Sequence, residues 1–369
     1  MWKHKNITLF WQKYKRRLLR HVWLVRLVAG LLVITLSVGL LAIIAKPFLD
    51  IGAKMLIGPR IVASFFTGST KALKGSNNRT NILLLGVDGE VQEGAQLTDT
   101  MIFISINSKS GDVAMLSLPR DIWLESLQAK INTAYYYGEQ KSSGGGFALV
   151  KDAVYQITGQ PIHYAILLDF TGFVKAIDLV GGIDVKVERS FKDERYPIPG
   201  KEADECDSDP EYRCRYETIQ FERGVQHMDG QTALKFVRSR NAEGEEGTDF
   251  ARSARQQKVI LGFKEKLLST KTLLSPTTLL ELKKTFSEHV KLDQEISEEE
   301  VMGFANLFFS FVRGSNTLRV LTLDTGVEEN PGFLINPPMK VYGQWVLIPR
   351  SGDWLEFQAF LEQKLVSDI

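Results

Sequence analysis

The chain is poor in the residues from which most hydrolytic and redox sites are built. It holds five His and two Cys among 369 residues. No Ser, His and Asp stand in a pattern that reads as a nucleophilic triad, and neither a GxGxxG dinucleotide fingerprint nor a GxxxxGK[ST] phosphate loop is present. The two cysteines, Cys206 and Cys214, lie eight positions apart in the polar segment KEADECDSDPEYRCRYE. No His accompanies them at ligand spacing, which argues against zinc. In a compartment outside the cytoplasm such a pair reads as a loop-closing disulfide.

Acidic residues are missing from the first 26 positions, which carry eight cations: Lys3, Lys5, Lys13, Lys15, Arg16, Arg17, Arg20 and Arg26. The overall net charge of +1 therefore conceals a body with 37 basic and 44 acidic residues, net −7. A basic tail on an acidic body argues against nucleic acid as the body's partner. Charge of either sign is absent from Leu27–Ala45, nineteen residues, close to the roughly 20 that a helix needs to cross a bilayer. The basic flank predicts an N-terminus in the cytoplasm (1–26), a transmembrane helix (27–45), a connector (46–80) and an extracytoplasmic body (81–369) in the cell membrane. A cleaved signal peptide is the alternative. The long basic region, the long apolar run and the poor cleavage site Ala42–Ile43–Ile44–Ala45 speak against it.

In the body, apolar runs alternate with helical spacing. Asn81–Val87, Met101–Ile106, Val113–Leu118, His163–Leu168, Ile183–Val187, Leu318–Thr322 and Val346–Ile348 read as strands. Helices are expected over Phe147–Ile157, Phe170–Val180, Asp229–Val237 and Asp249–Leu268, and over about 276–288, 297–312 and 352–365. Strands alternating with helices predict a layered α/β fold with a mixed central sheet.

Charged residues gather where such a fold places its sites. Asp88 follows the first buried strand and Asp99 opens the next in LTDTM, so the two carboxylates flank one loop. Together they could hold a hard divalent cation such as magnesium, or manganese; a turn cap and a solvated acid are the plainer alternative. Arg120 leaves the third strand in SLPRD, and could equally be a surface ion pair with Asp121.

Arg238, Arg240, Arg252, Arg255 and Gln256 fall within nineteen residues. Guanidinium groups repel, so their clustering calls for an anion, and Arg is the side chain best shaped for phosphate. Arg252, Arg255 and Gln256 share i, i+3, i+4 spacing at a helix N-terminus, with Asp249 as cap or first-turn residue. Arg238 and Arg240, two apart, converge only if the chain leaves helical geometry between them. A solvated face, or pairing with the acidic stretch Glu243–Glu246, is the competing account. Lys130, Asn132 and Tyr135, with Ser142–Gly146, form either a loop near the site or plain packing. His163 reads as structural.

The ordered set GVD, TDTM, SLPRD, KINTAY, HYAILLDFTGFVKAIDLVGGIDV, HMDGQTALKFVRSR and DFARSARQQ resembles the LytR-CpsA-Psr family of cell-wall glycopolymer ligases, over roughly Asn81 to the C-terminus. The resemblance implies a three-layer α/β/α domain that takes a polyprenyl-pyrophosphate-linked glycan, with its tail in an apolar tunnel. It implies Mg-assisted transfer of the glycan phosphate to a peptidoglycan hydroxyl. Asp88 and Asp99 would hold the metal. Arg120, Arg238, Arg240 and Arg252 would bind the pyrophosphate, with Gln256 beside them, and Arg255 and Lys130 are further candidates. Asp99 or Asp249 would accept the proton. The family usually has arginines shortly after the first metal aspartate and two residues before the second; this chain has Glu90 and Leu97 there. A pyrophosphatase using water, and a non-catalytic lipid-glycan-binding protein, are the competing functions.

Overall fold

The computed structural model describes residues 73–366, apart from 90–95, 202, 274, 298, 302, 305–306, 308–317 and 328–329. The expected membrane segment 27–45, its basic flank and Glu90 lie outside the described residues. No helix among the described residues is long and apolar enough to cross a membrane. All described residues fall within one compact unit, Thr67–Ile369.

At its centre is a six-stranded sheet. Its strands are β1 (Arg79–Val87), β2 (Thr98–Asn107), β3 (Val113–Ser117), β4 (Tyr164–Asp169), β9 (Val290–Leu292) and β10 (Leu318–Thr322), in the order β9-β4-β1-β2-β3-β10. β1 pairs antiparallel with β2 and parallel with β4, so the sheet is mixed. The run NILLLGV forms a central strand because, flanked on both edges, it can bury both faces.

Alternation along β1 sorts the two faces. Leu83, Leu85 and Val87 are fully buried and pack with α2 (Gly145–Thr158) and α7 (Leu355–Val366) through Val150, Val154, Ile157 and Leu361. Leu84 and Gly86, pointing the other way, are only half-buried. That face looks toward α3 (Phe170–Leu179), α4 (Gly230–Arg238) and α5 (Asp249–Leu267), and the space between sheet and helices is not closed by side chains. Helices thus cover both faces, one tightly and one around a cavity.

Local chemistry sets the helix starts. Asp169 caps α3 by accepting from Gly172 N–H at 2.7 Å, and Asp229 caps α4 by accepting from Thr232 N–H at 2.7 Å. Thr248 caps α5, leaving Asp249 as its first helical residue. α6 (Pro276–His289) begins with proline in its first turn.

Two small two-stranded sheets bring in three strands beyond those expected. β5 (Ile183–Val187) pairs with β8 (Gly224–Met228), and β6 (Phe191–Pro197) pairs with β7 (Tyr216–Phe221). The loop between β6 and β7 carries the Cys206–Cys214 disulfide, which is formed. Residues Ala134–Lys141 form a helix, α1, rather than a loop. Of the expected strand Val346–Ile348, only a bridge from Leu347 to Ile122 and the short pair Leu334–Ile335 with Ile348–Pro349 form.

Candidate active site

Asp88 emerges from the carboxyl end of β1, beside a break in register. Gly86 pairs with Thr100 and Val87 with Thr98, so Asp99 is the extra residue of a β-bulge. Bulges re-aim side chains at sites, and here the bulge sets the neighbours Asp99 and Thr100 to line different spaces. Gly86 permits this close approach, since a Cβ there would lie 3.0 Å from the Thr100 Cβ.

Asp99 lines a polar pocket of about 540 Å³ together with Arg120, Arg238, Arg240 and Arg252, and with Tyr196, Asn241 and Trp345. Thr100 lines an apolar cavity of about 270 Å³, walled by Leu84, Ile102 and Ile104 of the sheet, Phe170, Phe173 and Ala176 of α3, and Val259, Ile260 and Phe263 of α5. A narrow space of about 20 Å³ bordered by Asp99, Thr100, Arg120, Arg252 and Gln256 shares residues with both. Gln256 Nε2 donates to Thr100 Oγ1 at 3.3 Å across this junction.

The arginines reach the pocket by different routes. Arg120 follows β3 and pairs with Asp99. Its buried Nε faces the Asp121 carboxylate at 3.7 Å, the ion pair weighed as the alternative, and makes no hydrogen bond at normal length among the described residues. Arg252, in the first turns of α5, donates from Nη2 to the Asp99 carbonyl at 2.8 Å. Arg238 ends α4 and pairs with Asp88 at 2.5 Å. Ser239 is no longer helical, with ψ 133°, which is the departure that lets Arg240 line the same pocket.

That departure is held by a residue that its own segment does not announce. Asp193, fully buried in β6, accepts from Ser239 Oγ at 2.7 Å and from the backbone N–H groups of Arg240 and Asn241 at 3.1 Å each. Asp121 plays a similar part. It is nearly buried, accepts from Lys130 Nζ at 2.7 Å, and lies 3.5 Å from Arg240.

Three expected site residues do something else. Arg255 is 2% exposed and donates to the Ser239 carbonyl at 2.7 Å and to Glu246 Oε2 at 3.0 Å. Its guanidinium carbon sits 4.8 Å from the Phe191 ring centre. Burial holds it below its usual pKa, with Glu246 opposing. It supports the Ser239 turn from within and does not line the pocket, because on α5 it points away from the side shared by Arg252 and Gln256. Lys130 stands behind Arg240, its ammonium held by Asp121. Tyr135 is core, edge-on to Phe147 at 5.3 Å. Leu97 is exposed, and the side chain of Asp249 lies outside the described residues.

Pocket residues missed by the sequence include Tyr196, Asn241 and Trp345. Burial raises the Tyr196 hydroxyl above its ordinary pKa, against the opposing charge of Arg238. His163 is structural as expected: its Nδ1 accepts from the Asn81 N–H at 2.9 Å.

Asp88 and Asp99 offer carboxylate oxygens from adjacent strand ends. Magnesium takes one or two protein carboxylates and completes its shell with water and phosphate oxygens, so the donor set fits a hard cation. Among the described residues, the cluster of three candidate ligands is Asp204, Cys206 and Cys214, whose sulfurs are spent in the disulfide.

Comparisons with known proteins bear on the family and the fold. The chain is 28% identical over 265 residues to the polyisoprenyl-teichoic acid–peptidoglycan teichoic acid transferase TagV of Bacillus subtilis, 70% of this chain and 60% of that protein. It is 33% identical over 183 residues to TagU of Oceanobacillus iheyensis, 49% of each chain. The chain thus spans about half to two thirds of the length of the curated relatives it matches. The crystal structure of B. subtilis TagV superposes with a TM-score of 0.53 at 21% identity, over 80% of this chain and 100% of that one. TagT bound to LIIa-WTA gives 0.51 at 20%, over 81% and 96%. The pattern of the LytR_cpsA_psr family matches residues 65–329, well over half the chain, and the protein belongs to that family.

Proposed function

We propose that the chain is a phosphotransferase that moves a glycopolymer phosphate from a polyprenyl-pyrophosphate carrier to a peptidoglycan hydroxyl. The observation that carries this reading is the junction at Thr100 and Gln256, where an arginine-lined pocket meets an apolar cavity. A ligand that fits both has an anionic head and a long apolar tail. The relatives named as teichoic acid transferases support the same substrate class.

In this reading Arg120, Arg238, Arg240 and Arg252 bind the pyrophosphate. Arg120 and Arg238 exchange the carboxylates of Asp99 and Asp88 for phosphate oxygens, a better match to a planar guanidinium fork. Asp88 and Asp99 would hold a magnesium or manganese ion, which when bound adds positive charge against the pyrophosphate. The acceptor oxygen bonds to the glycan-side phosphorus, the bond from that phosphorus to the bridging oxygen breaks, and polyprenyl phosphate leaves. Asp99 or Asp249 would take the hydroxyl proton. Catalysis of this kind is mostly positioning and charge stabilisation. The charge-free run Leu27–Ala45 and its basic flank support a single-pass anchor in the cell membrane with the body outside the cytoplasm.

The test uses the full chain in detergent with a polyprenyl-pyrophosphate glycan, magnesium, and peptidoglycan present or omitted. Release of polyprenyl phosphate that depends on peptidoglycan, with glycan appearing on it, is the expected result. Equal release with water alone would make the protein a pyrophosphatase. Tight lipid binding with no release would make it a binding protein.

A further inference from the structure

Trp345 is a pocket-lining residue that the proposed phosphate chemistry does not use. It belongs to the C-terminal segment beyond residue 329, outside the span of the family match. The residues on either side of it treat water differently. Gln344 is exposed, whereas Val346 is fully buried and Leu347 nearly so. Trp345 itself keeps 41% of its surface exposed while lining the same pocket as the four arginines.

Its position is fixed from one side. The Val346 carbonyl accepts from Asn336 Nδ2 at 3.1 Å. Leu347 N–H donates to the Asp121 carbonyl at 3.0 Å, and Trp123 N–H donates to the Leu347 carbonyl at 2.8 Å. The segment is therefore clamped to Asp121, whose side chain lies 3.5 Å from Arg240. A large exposed aromatic held on an anchored backbone, beside a cluster of phosphate-seeking groups, is already positioned to stack on a ligand at little entropic cost. A phosphate group alone would not cover it, since an anion gains nothing from the negative face of an indole.

We propose that Trp345 is a sugar platform: its indole face stacks against the apolar C–H face of a pyranose ring attached to, or attacking, the phosphate held by the arginines. Asn241 lines the same pocket; its Nδ2 donates to the Arg195 carbonyl at 2.8 Å, which leaves its amide oxygen to accept from a ring hydroxyl. This inference rests on the pyrophosphate reading given above and adds to it a subsite for sugar, contributed by residues outside the family-defining span. The ring could belong to the donor glycan or to the peptidoglycan acceptor, and the two are separable by experiment.

The experiment measures binding to the full chain in detergent by calorimetry, with a polyprenyl pyrophosphate and with the same lipid bearing one N-acetylhexosamine. Wild type, Trp345→Ala and Trp345→Phe are compared, and the KM for peptidoglycan is measured alongside. If the donor sugar stacks, Trp345→Ala weakens the sugar-bearing lipid by about tenfold, leaves the bare lipid unchanged, and Trp345→Phe restores most of the loss. If the acceptor sugar stacks, both lipids bind as before and the KM for peptidoglycan rises by about tenfold. Equal weakening of both lipids would mean that Trp345 only shapes the pocket, and no change in any of the three values would also overturn the platform. Failure of wild type to bind the bare lipid would instead remove the pyrophosphate reading itself, and the platform with it.

Discussion

Arg238 reaches Asp88 across 150 residues of sequence, its Nη2 lying 2.5 Å from the carboxylate. The contact ties the last residue of α4 to the end of β1, while the guanidinium carbon rests 4.7 Å from the Phe170 ring centre. Asp88 is more than half exposed, so the pair adds little to stability, under about 1 kcal/mol. Arg238→Ala should therefore lower transfer by about 100-fold or more while barely moving the melting temperature. Arg238→Lys keeps the charge and loses the planar fork, and falls between the two. Near wild-type glycan attachment by Arg238→Ala would remove the arginine pocket as the site of chemistry.

Asp193 makes a different prediction, because it is buried and contacts no pocket space. Ser239 Oγ and the Arg240 and Asn241 N–H groups share its Oδ2, while the Arg195 N–H donates to Oδ1 at 3.0 Å; Asp193→Ala removes both oxygens and leaves all four donors without this acceptor. Leaving buried donors unmet costs about 1–3 kcal/mol. Chemical denaturation should show a loss of that order, with activity falling through displacement of Arg240. A variant as stable as wild type would show that the Ser239 turn is held by other contacts.

The cavity can be filled without touching the pocket. Ala176→Phe places a ring among Phe170, Phe173 and Ile177, which wall the space. The melting temperature should change little, since the added carbon occupies a void and not a packed core. Binding of a long-chain polyprenyl pyrophosphate should fall by about tenfold or more, whereas a short-chain pyrophosphate should bind as before. Loss of both would show that the substitution had spread to the arginines.

His163 gives a pH dependence. Burial, reinforced by the charge of Lys151, holds its pKa below the usual value, and its Nδ1 must stay unprotonated to accept from Asn81. A group depressed in the folded state contributes its stability fully above the unfolded pKa, about 6.5. That contribution is lost as pH falls through the folded value. Wild type should therefore lose melting temperature on acidification below about pH 6.5 more steeply than His163→Asn, whose amide oxygen can accept the same bond. Parallel curves would show that the His163 ring is not the titrating group.

Much of this was readable because it is local. The run NILLLGV announces a strand buried on both faces, and helical spacing announces the helices at Phe170–Val180 and Asp229–Val237. Asp88, Asp99, Arg120, Arg238, Arg240 and Arg252 stand at element ends, and it was the family resemblance that implied they share one site. Arg255 was misread because i, i+3, i+4 spacing names a broad face; Arg252 and Gln256 lie on one side of it, and Arg255 turns inward to Phe191. Asp193 was invisible because nothing in FKDERYP distinguishes it from its exposed neighbours, and three of its four donors are 46 to 48 residues away. The cavity was equally hidden. Leu84, Ile104 and Ile260 carry the composition of a packed core, and only their three-dimensional arrangement leaves space between them.

The greasy cavity behind Thr100 has a consequence for where selectivity resides. A prenyl tail leaving a bilayer for that space exchanges one hydrocarbon environment for another, so the hydrophobic effect contributes little net pull. On the proposed function, discrimination then falls to the head of the lipid. A pyrophosphate engages more of the four guanidinium groups than the monophosphate left after transfer. The spent carrier is thus the weaker ligand and slips back to the membrane without needing to be pushed.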